Sequence, residues 1–195
     1  MFNNEIETIK GKIESIFAIT KQDMVIIAID GMTGSGKSTL ADELGKVYGG
    51  APIIHADDFF LPIEMRTEER MNEPGGNIHY ERMKKEVIDV LNKRKIGDEI
   101  AYRPFLCMTK SYGDEVKYKL GKVNIVEGSY CLNPHFGKYY DISVFLKIND
   151  KLQIERLTKR CPQMINNFIN KWIPLEKKYH DAFNLYDNSD IKFEY

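Results

Sequence analysis

Met24 to Ile29 form an apolar, β-branched run that passes without interruption into Asp30-Gly31-Met32-Thr33-Gly34-Ser35-Gly36-Lys37-Ser38-Thr39-Leu40. An apolar strand turning this abruptly into a helix is the opening unit of a parallel α/β sheet and suits few other folds. The turn has the form G-x-x-x-x-G-K-[ST], whose glycines permit a tight bend that aims several backbone N–H groups at one point. Gly31 to Thr39 therefore read as a P-loop, a nest for the β- and γ-phosphate oxygens of a nucleotide. Lys37 is expected to reach those oxygens, and the Ser38 hydroxyl to ligate an accompanying magnesium ion. A helix expected over Lys37 to Val47 presents its positive dipole end to the same anions.

The rest of the chain alternates short apolar runs with helical periodicity. Ile6, Ile9, Ile13, Ile16 and Phe17 recur at three- and four-residue steps, so residues 1–22 are expected to hold an amphipathic helix that packs on the core. Its reading is a packing element, not a site. Pro52 to His55, Val123 to Val126 and Ile142 to Leu146 read as further strands. Leu61 to Gly76 reads as an irregular, mobile substrate loop, followed by a helix over Tyr80 to Asn92. Ile100 to Tyr102 and Val116 to Leu120 read as a hairpin-like excursion around Gly113-Asp114. Helical patterns over Asp150 to Lys159 and Gln163 to Phe183 supply a lid and C-terminal helices, at about 150–183, before a short Ile191 to Phe193 strand. Strands alternating with helices predict a single domain of three-layer α/β type, a P-loop NTPase fold with a mainly parallel sheet flanked by helices.

Composition narrows the partner. With 28 basic and 29 acidic residues in 195, the net charge of −1 supplies no field for nucleic acid or an anionic membrane. A small molecule is the expected partner; a homo-oligomer stays open. Cys107, Cys131 and Cys161 are far apart and show no metal-ligand spacing, as free thiols in a reducing compartment would. Met1 to Glu5 is too polar for a signal peptide and no apolar run reaches membrane-spanning length, which predicts a cytoplasmic protein.

In open parallel sheets, ligands bind beyond the carboxyl ends of the strands. Three apolar runs end at the P-loop, at Asp57-Asp58 and at Glu127-Gly128, so Lys37, Ser38, Asp57 and Glu127 are expected along one edge. Phosphoryl transfer needs a triphosphate cradle, magnesium, and a carboxylate to orient or deprotonate the accepting hydroxyl. Asp57 is the candidate base and Glu127 the candidate metal residue; Asp58 is either behind Asp57 or solvated. Arg156, Lys159 and Arg160 share one helix face, and Arg156 and Arg160 are candidate contacts to the triphosphate. His79, Tyr80, Arg82, Tyr102 and Arg103 are candidate acceptor-site residues. Lys84-Lys85 and Lys93-Arg94-Lys95 read as surface charge, and Phe168, Trp172 and Tyr179 as packing.

The chain resembles the uridine kinase family of P-loop small-molecule kinases, which also resembles pantothenate kinase and phosphoribulokinase in its core. Carrying the resemblance are Gly31 to Ser38, His55 to Pro62, Glu73-Pro74-Gly75-Gly76-Asn77-Ile78-His79-Tyr80-Glu81-Arg82, Val126 to Tyr130 and Trp172 to Glu176. It implies that Asp57 is the catalytic aspartate, Lys37 and Ser38 the phosphate and magnesium residues, and Glu127 the acidic residue near the metal. Tyr102 falls near an aromatic or polar substrate contact. Two departures stand out: Arg160 leads into Cys161-Pro162-Gln163 where the family carries a longer arginine-rich lid, and Arg103-Pro104-Phe105 stands where an aspartate is frequent. The resulting expectation is ATP- and magnesium-dependent phosphorylation of a hydroxyl, with a nucleoside first and pantothenate, a sugar or another alcohol as rivals. A non-catalytic ATP-binding regulator is the competing class. No N-K-x-D guanine motif occurs, which favours adenine nucleotides.

Overall fold

The computed structural model describes residues 2–195. Helix α1 (Asn3–Thr20) precedes β1 (Val25–Gly31), which leads through the nest into α2 (Lys37–Val47) and then β2 (Ile53–His55). A short α3 (Glu68–Asn72) lies in the segment after β2. Two further pieces, α4 (Tyr80–Met83) and α5 (Asp89–Leu91), are joined by a π-helical turn, Lys84–Ile88. Strands β3 (Glu99–Tyr102), β4 (Phe105–Leu106), β5 (Ser111–Tyr112) and β6 (Val116–Lys119) follow, then β7 (Val123–Glu127) and β8 (Ile142–Lys147). The C-terminal part holds α6 (Asp150–Arg160), α7 (Ile165–Asn167), α8 (Ile173–Ala182), α9 (Leu185–Asn188) and β9 (Ile191–Glu194).

The central sheet has the order β2-β7-β1-β8-β9. Every pairing in it is parallel. Because both faces of such a sheet are covered, β1 is apolar almost throughout rather than alternating. Val25, Ile27 and Ile29 turn to the face covered by α1 and α2, where they meet Ile9, Ile13, Leu40 and Leu44. Ile26 and Ala28 turn to the other face, with Ile54, Phe59, Met83, Val87 and Tyr179. Register decides the site: Ile29 pairs with Glu127, which in turn pairs with His55, so three strands end level at one edge.

Several expectations need correction. The Leu61 to Gly76 segment, expected to be irregular, contains a 3-10 turn (Ile63–Met65) and α3. Arg70 orders it by donating to the carbonyl oxygens of Gly76 (2.9 Å) and Ile78 (3.0 Å) and to both oxygens of Glu81 (2.7 and 2.9 Å). β3 and β6 do pair antiparallel, but the turn is not at Gly113-Asp114: a second ribbon, β4 with β5, is nested between them. Arg94 is not free surface charge. It donates to Asp141 (2.5 Å), whose carboxylate also accepts the Ile26 N–H, tying the end of α5 to β1. Tyr179 packs in the core, as expected, while Phe168 and Trp172 meet edge to face at 4.7 Å. Among the described residues no helix is long and apolar enough to cross a membrane.

Candidate active site

The nest begins where β8 passes so close to β1 that a Cβ on Gly31 would lie 2.2 Å from the Leu146 carbonyl oxygen. Only glycine fits there. Gly34 (φ 78°) and Gly36 (φ 106°) then take left-handed conformations that bring the loop round to the first turn of α2. The amides of that first turn have no intrahelical acceptor and open the helix to an anion. The Lys37 ammonium lies under the loop and donates to the carbonyl oxygens of Gly31 (2.7 Å) and Met32 (3.1 Å).

A cavity of about 410 Å³ lies over the nest. Lining it are Thr33, Gly34, Gly36, Lys37, Ser38 and Thr39 from the loop and α2, Asp57 after β2, Glu127 and Ser129 after β7, and Arg156 and Arg160 from α6. Lys159 is exposed outside it. The edge rule for parallel sheets thus brought four separately predicted side chains to one place. Glu127 is 3% exposed. Its carboxylate accepts from the Ser38 hydroxyl (3.2 and 3.1 Å to its two oxygens) and lies 2.6 Å from His55 Nδ1. That hydrogen bond raises the His55 pKa above its ordinary value, against the opposing effect of burial.

Asp57 sits on a 3-10 turn, Ala56–Phe59, directly after β2. Its carboxylate opens to the cavity, yet the surrounding protein pushes its pKa up to about 7. Lys37 pulls it down, whereas Glu127 and Glu176 add to the rise. Water entering through the cavity mouth screens part of this shift. Gly128 makes room for the carboxylate: at φ 126°, a Cβ there would meet Asp57 Oδ1 at 3.1 Å and the Ala56 Cβ at 3.2 Å. Gly128→Ala should therefore cost about 1–3 kcal/mol in a denaturant titration, from backbone strain, and should also impair turnover by displacing Asp57. Wild-type stability and turnover together would remove Gly128 from this account.

The structure separates the remaining candidates. Tyr102 lies one step behind the cavity, donating its hydroxyl to Asp58 Oδ2 at 2.8 Å, which settles Asp58 as a partnered residue. Arg82 stacks over the Phe59 ring (4.5 Å) and donates to Glu86 and to the Arg103 carbonyl oxygen. Arg103 is exposed and donates to the Gly113 carbonyl oxygen within the ribbons. His79 pairs with Glu81, and Tyr80 is sandwiched between Arg70 (3.6 Å) and His135 (3.8 Å). None of these five lines the cavity over the nest.

Other groups at the site had no role in the sequence reading. Glu176 on α8 is 7% exposed and accepts from the Thr33 N–H (2.8 Å) and the Ser129 hydroxyl (2.6 Å). Gln153 on α6 donates to the Thr33 carbonyl oxygen (2.9 Å), so both C-terminal helices hold one peptide of the nest. Asp30, fully buried, accepts from Gly31 N–H (2.7 Å), Leu132 N–H (3.0 Å) and Tyr179 OH (3.0 Å). Burial opposes its ionisation, but the nearby His180, the Leu132 N–H and the charge of Lys37 hold its pKa below the ordinary carboxylate value. Apart from the adjacent Asp30 and Gly31, these partners lie far apart in sequence and leave no local signal. His55 was findable, as a polar residue closing an apolar strand.

Ser38 and Glu127 are adjacent hard oxygen donors, and no group of three His, Cys, Asp or Glu residues converges as a metal cage among the described residues. The pair suits a cation that keeps water and phosphate oxygens in its shell.

No protein-family model matches the chain. It is 22% identical over 186 residues to nicotinamide riboside kinase of Saccharomyces cerevisiae, covering 85% of this chain and 76% of that protein. It is 29% identical over 133 residues to uridine-cytidine kinase D of Dictyostelium discoideum, covering 67% of this chain but 25% of that longer protein. In fold it is similar to a possible uridine kinase from Bacillus stearothermophilus, with a TM-score of 0.68 at 18% identity over 95% of this chain and 99% of that one. The nest and sheet, taken with these matches, define a P-loop phosphotransferase that acts on an alcohol group and uses ATP with a divalent metal. Within that class, the chain is most readily compared with uridine kinase-like small-molecule kinases, to which these matches show it to be similar.

Proposed function

We propose that the chain transfers the γ-phosphoryl group of ATP to a hydroxyl of a nucleoside, with magnesium as the metal. One observation carries the catalytic part: Lys37, Ser38, Asp57 and Glu127 meet in a single cavity at the carboxyl edge of the sheet. In support of the acceptor, the yeast and Dictyostelium relatives are named for nucleosides. In this reading the 195 residues work as one kinase domain, with α6 to α8 as its lid.

The loop amides hold the triphosphate, and Lys37 exchanges the carbonyl oxygens of Gly31 and Met32 for phosphate oxygens. Ser38 and Glu127 would hold the magnesium ion, which when bound would supply positive charge to offset that of the phosphates. Asp57 accepts the proton of the acceptor hydroxyl as its oxygen bonds to the γ-phosphorus; the bond to the β–γ bridging oxygen breaks and ADP leaves. Arg156 and Arg160 close over the nucleotide and exclude water from the reacting oxygens. Tyr102 and Arg82 shape the acceptor side through Asp58 and Phe59.

ADP release measured with ATP and magnesium across uridine, cytidine, nicotinamide riboside, pantothenate and simple sugars tests this. Stimulation by nucleosides alone is the expected result. ATP binding without stimulation by any acceptor would replace the reading with a regulatory ATP-binding protein. Glu127→Gln keeps the shape of the side chain but removes the charge beside Ser38, so the magnesium concentration for half-maximal rate should rise. An unchanged magnesium titration would leave Glu127 as a structural partner of Ser38 and His55.

A further inference from the structure

We propose that Glu176, on α8, is a positioning residue for phosphoryl transfer, which holds the Met32–Thr33 peptide of the nest in place when Lys37 leaves that peptide for the triphosphate; the inference rests on the kinase reading above. The peptide is gripped from two sides. Its carbonyl oxygen, on Met32, accepts from the Lys37 ammonium (3.1 Å), and its N–H, on Thr33, donates to the Glu176 carboxylate (2.8 Å). The first grip is temporary, since the same ammonium must turn to phosphate oxygens once the nucleotide is bound. Glu176 does not line the cavity over the nest and makes no such exchange, so its grip lasts through the reaction. Backbone groups held in advance are what lets a site meet developing charge without reorganising.

The same carboxylate reaches the other side of the site. Its Oε1 accepts from the Ser129 hydroxyl (2.6 Å), and Ser129 lines the cavity directly after Gly128, the residue against which Asp57 packs. One side chain thus joins the nest to the segment that seats the base. Glu176 is 7% exposed, and its donors are an amide and a hydroxyl, not a cation. Burying a carboxylate is costly unless hydrogen bonds satisfy it, so the docking of α8 depends on these two contacts. Glu176 stands in the first turn of α8, directly after a π-helical turn, Phe168–Trp172. Such a turn inserts a residue, rotates the helix face that follows and is frequent at functional sites. One turn further along α8, Tyr179 donates to Asp30 Oδ2 (3.0 Å) while Asp30 Oδ1 accepts the Gly31 N–H (2.7 Å), so α8 also braces the start of the nest.

The test sets kcat, from ADP release with the most active acceptor, against the Kd of the magnesium complex of ATP, from calorimetric titration, in wild type, Glu176→Gln and Glu176→Asp. Gln keeps the shape of the side chain but has a single accepting oxygen, so either the Thr33 N–H or the Ser129 hydroxyl loses its acceptor. Its kcat should fall by about ten- to a hundred-fold, the scale for a displaced reacting group. ATP should bind it no more weakly than wild type, because the change removes negative charge beside the phosphates. Asp keeps the charge but is a methylene shorter and cannot span both donors, so its kcat should fall as well with ATP affinity retained. Wild-type kcat in the Gln variant overturns the proposal. A loss of ATP affinity as large as the loss in kcat also overturns it, making Glu176 a support of the folded loop. If the Gln variant does not fold, the Asp variant decides by the same two measurements. Wild type that binds ATP yet releases no ADP with any acceptor would overturn the kinase reading, and this inference with it.

Discussion

Asp57→Asn should lower acceptor-dependent turnover by about a hundred- to ten-thousand-fold, the usual cost of losing a positioned general base. ATP affinity should barely change, because the carboxylate stands at the acceptor end of the cavity and the amide keeps its size. A metal ligand at this position would instead show weakened binding of the magnesium complex of ATP. The environment of Asp57 adds a pH signature. Its pKa is pushed up to about 7 in the folded chain, first because the protein around the carboxylate strips water from its charged form and then through the charges of Glu127 and Glu176, against Lys37. As a base it must be ionised, so kcat/KM should fall as the pH drops below about 7. The unfolded chain titrates this group near the ordinary aspartate value of about 3.9. Since the folded pKa is the higher one, the protonated form favours folding below that unfolded value, and this contribution is lost as pH rises toward about 7. Asp57→Asn cannot ionise and should be at least as stable as wild type above neutral pH. Loss of turnover without loss of stability separates a base from a structural turn residue. Retention of more than about a tenth of wild-type turnover, far above the range for a lost base, would move the role to Asp58.

The nest and the sheet edge were legible because their signals are local. Gly31 to Ser38 specify a backbone path in eight consecutive residues, and Asp57 and Glu127 follow apolar runs whose direction a parallel sheet dictates. The acceptor candidates lacked such a frame. His79 and Tyr80 are polar residues in an irregular stretch, and what draws them away is Arg70, whose carbonyl and carboxylate partners form only once the segment folds back on itself. Glu176 illustrates the opposite failure. It ends a stretch that the family resemblance includes, but its contact with Thr33 spans 143 residues of sequence, so only packing of α8 against the nest reveals it. The nested β4–β5 ribbon escaped for a related reason: two-residue strands carry too little periodicity to be read.

Lys37→Ala is expected to be the most damaging single change to transfer, costing about a hundred- to a thousand-fold or more in turnover. Phosphoryl transfer develops charge on oxygens that the ammonium neutralises, and among the described residues no other lysine lines the cavity. The fold should survive. Lys37 belongs to neither hydrophobic cluster, and alanine suits the first turn of α2. The Gly31 and Met32 carbonyl oxygens lose a donor, at a cost of about 1–3 kcal/mol for buried groups and less where water from the cavity replaces it. A second consequence ties this lysine to Asp57. Its positive charge holds the Asp57 pKa down, so its removal should move the acid limb of the residual activity to higher pH than in wild type. Thermal unfolding, turnover and the pH profile of the variant decide the matter together. Near-normal turnover in a folded Lys37→Ala protein would exclude the lysine from the reaction. A depressed rate with an unmoved acid limb would keep Lys37 on the phosphates but break its link to the base.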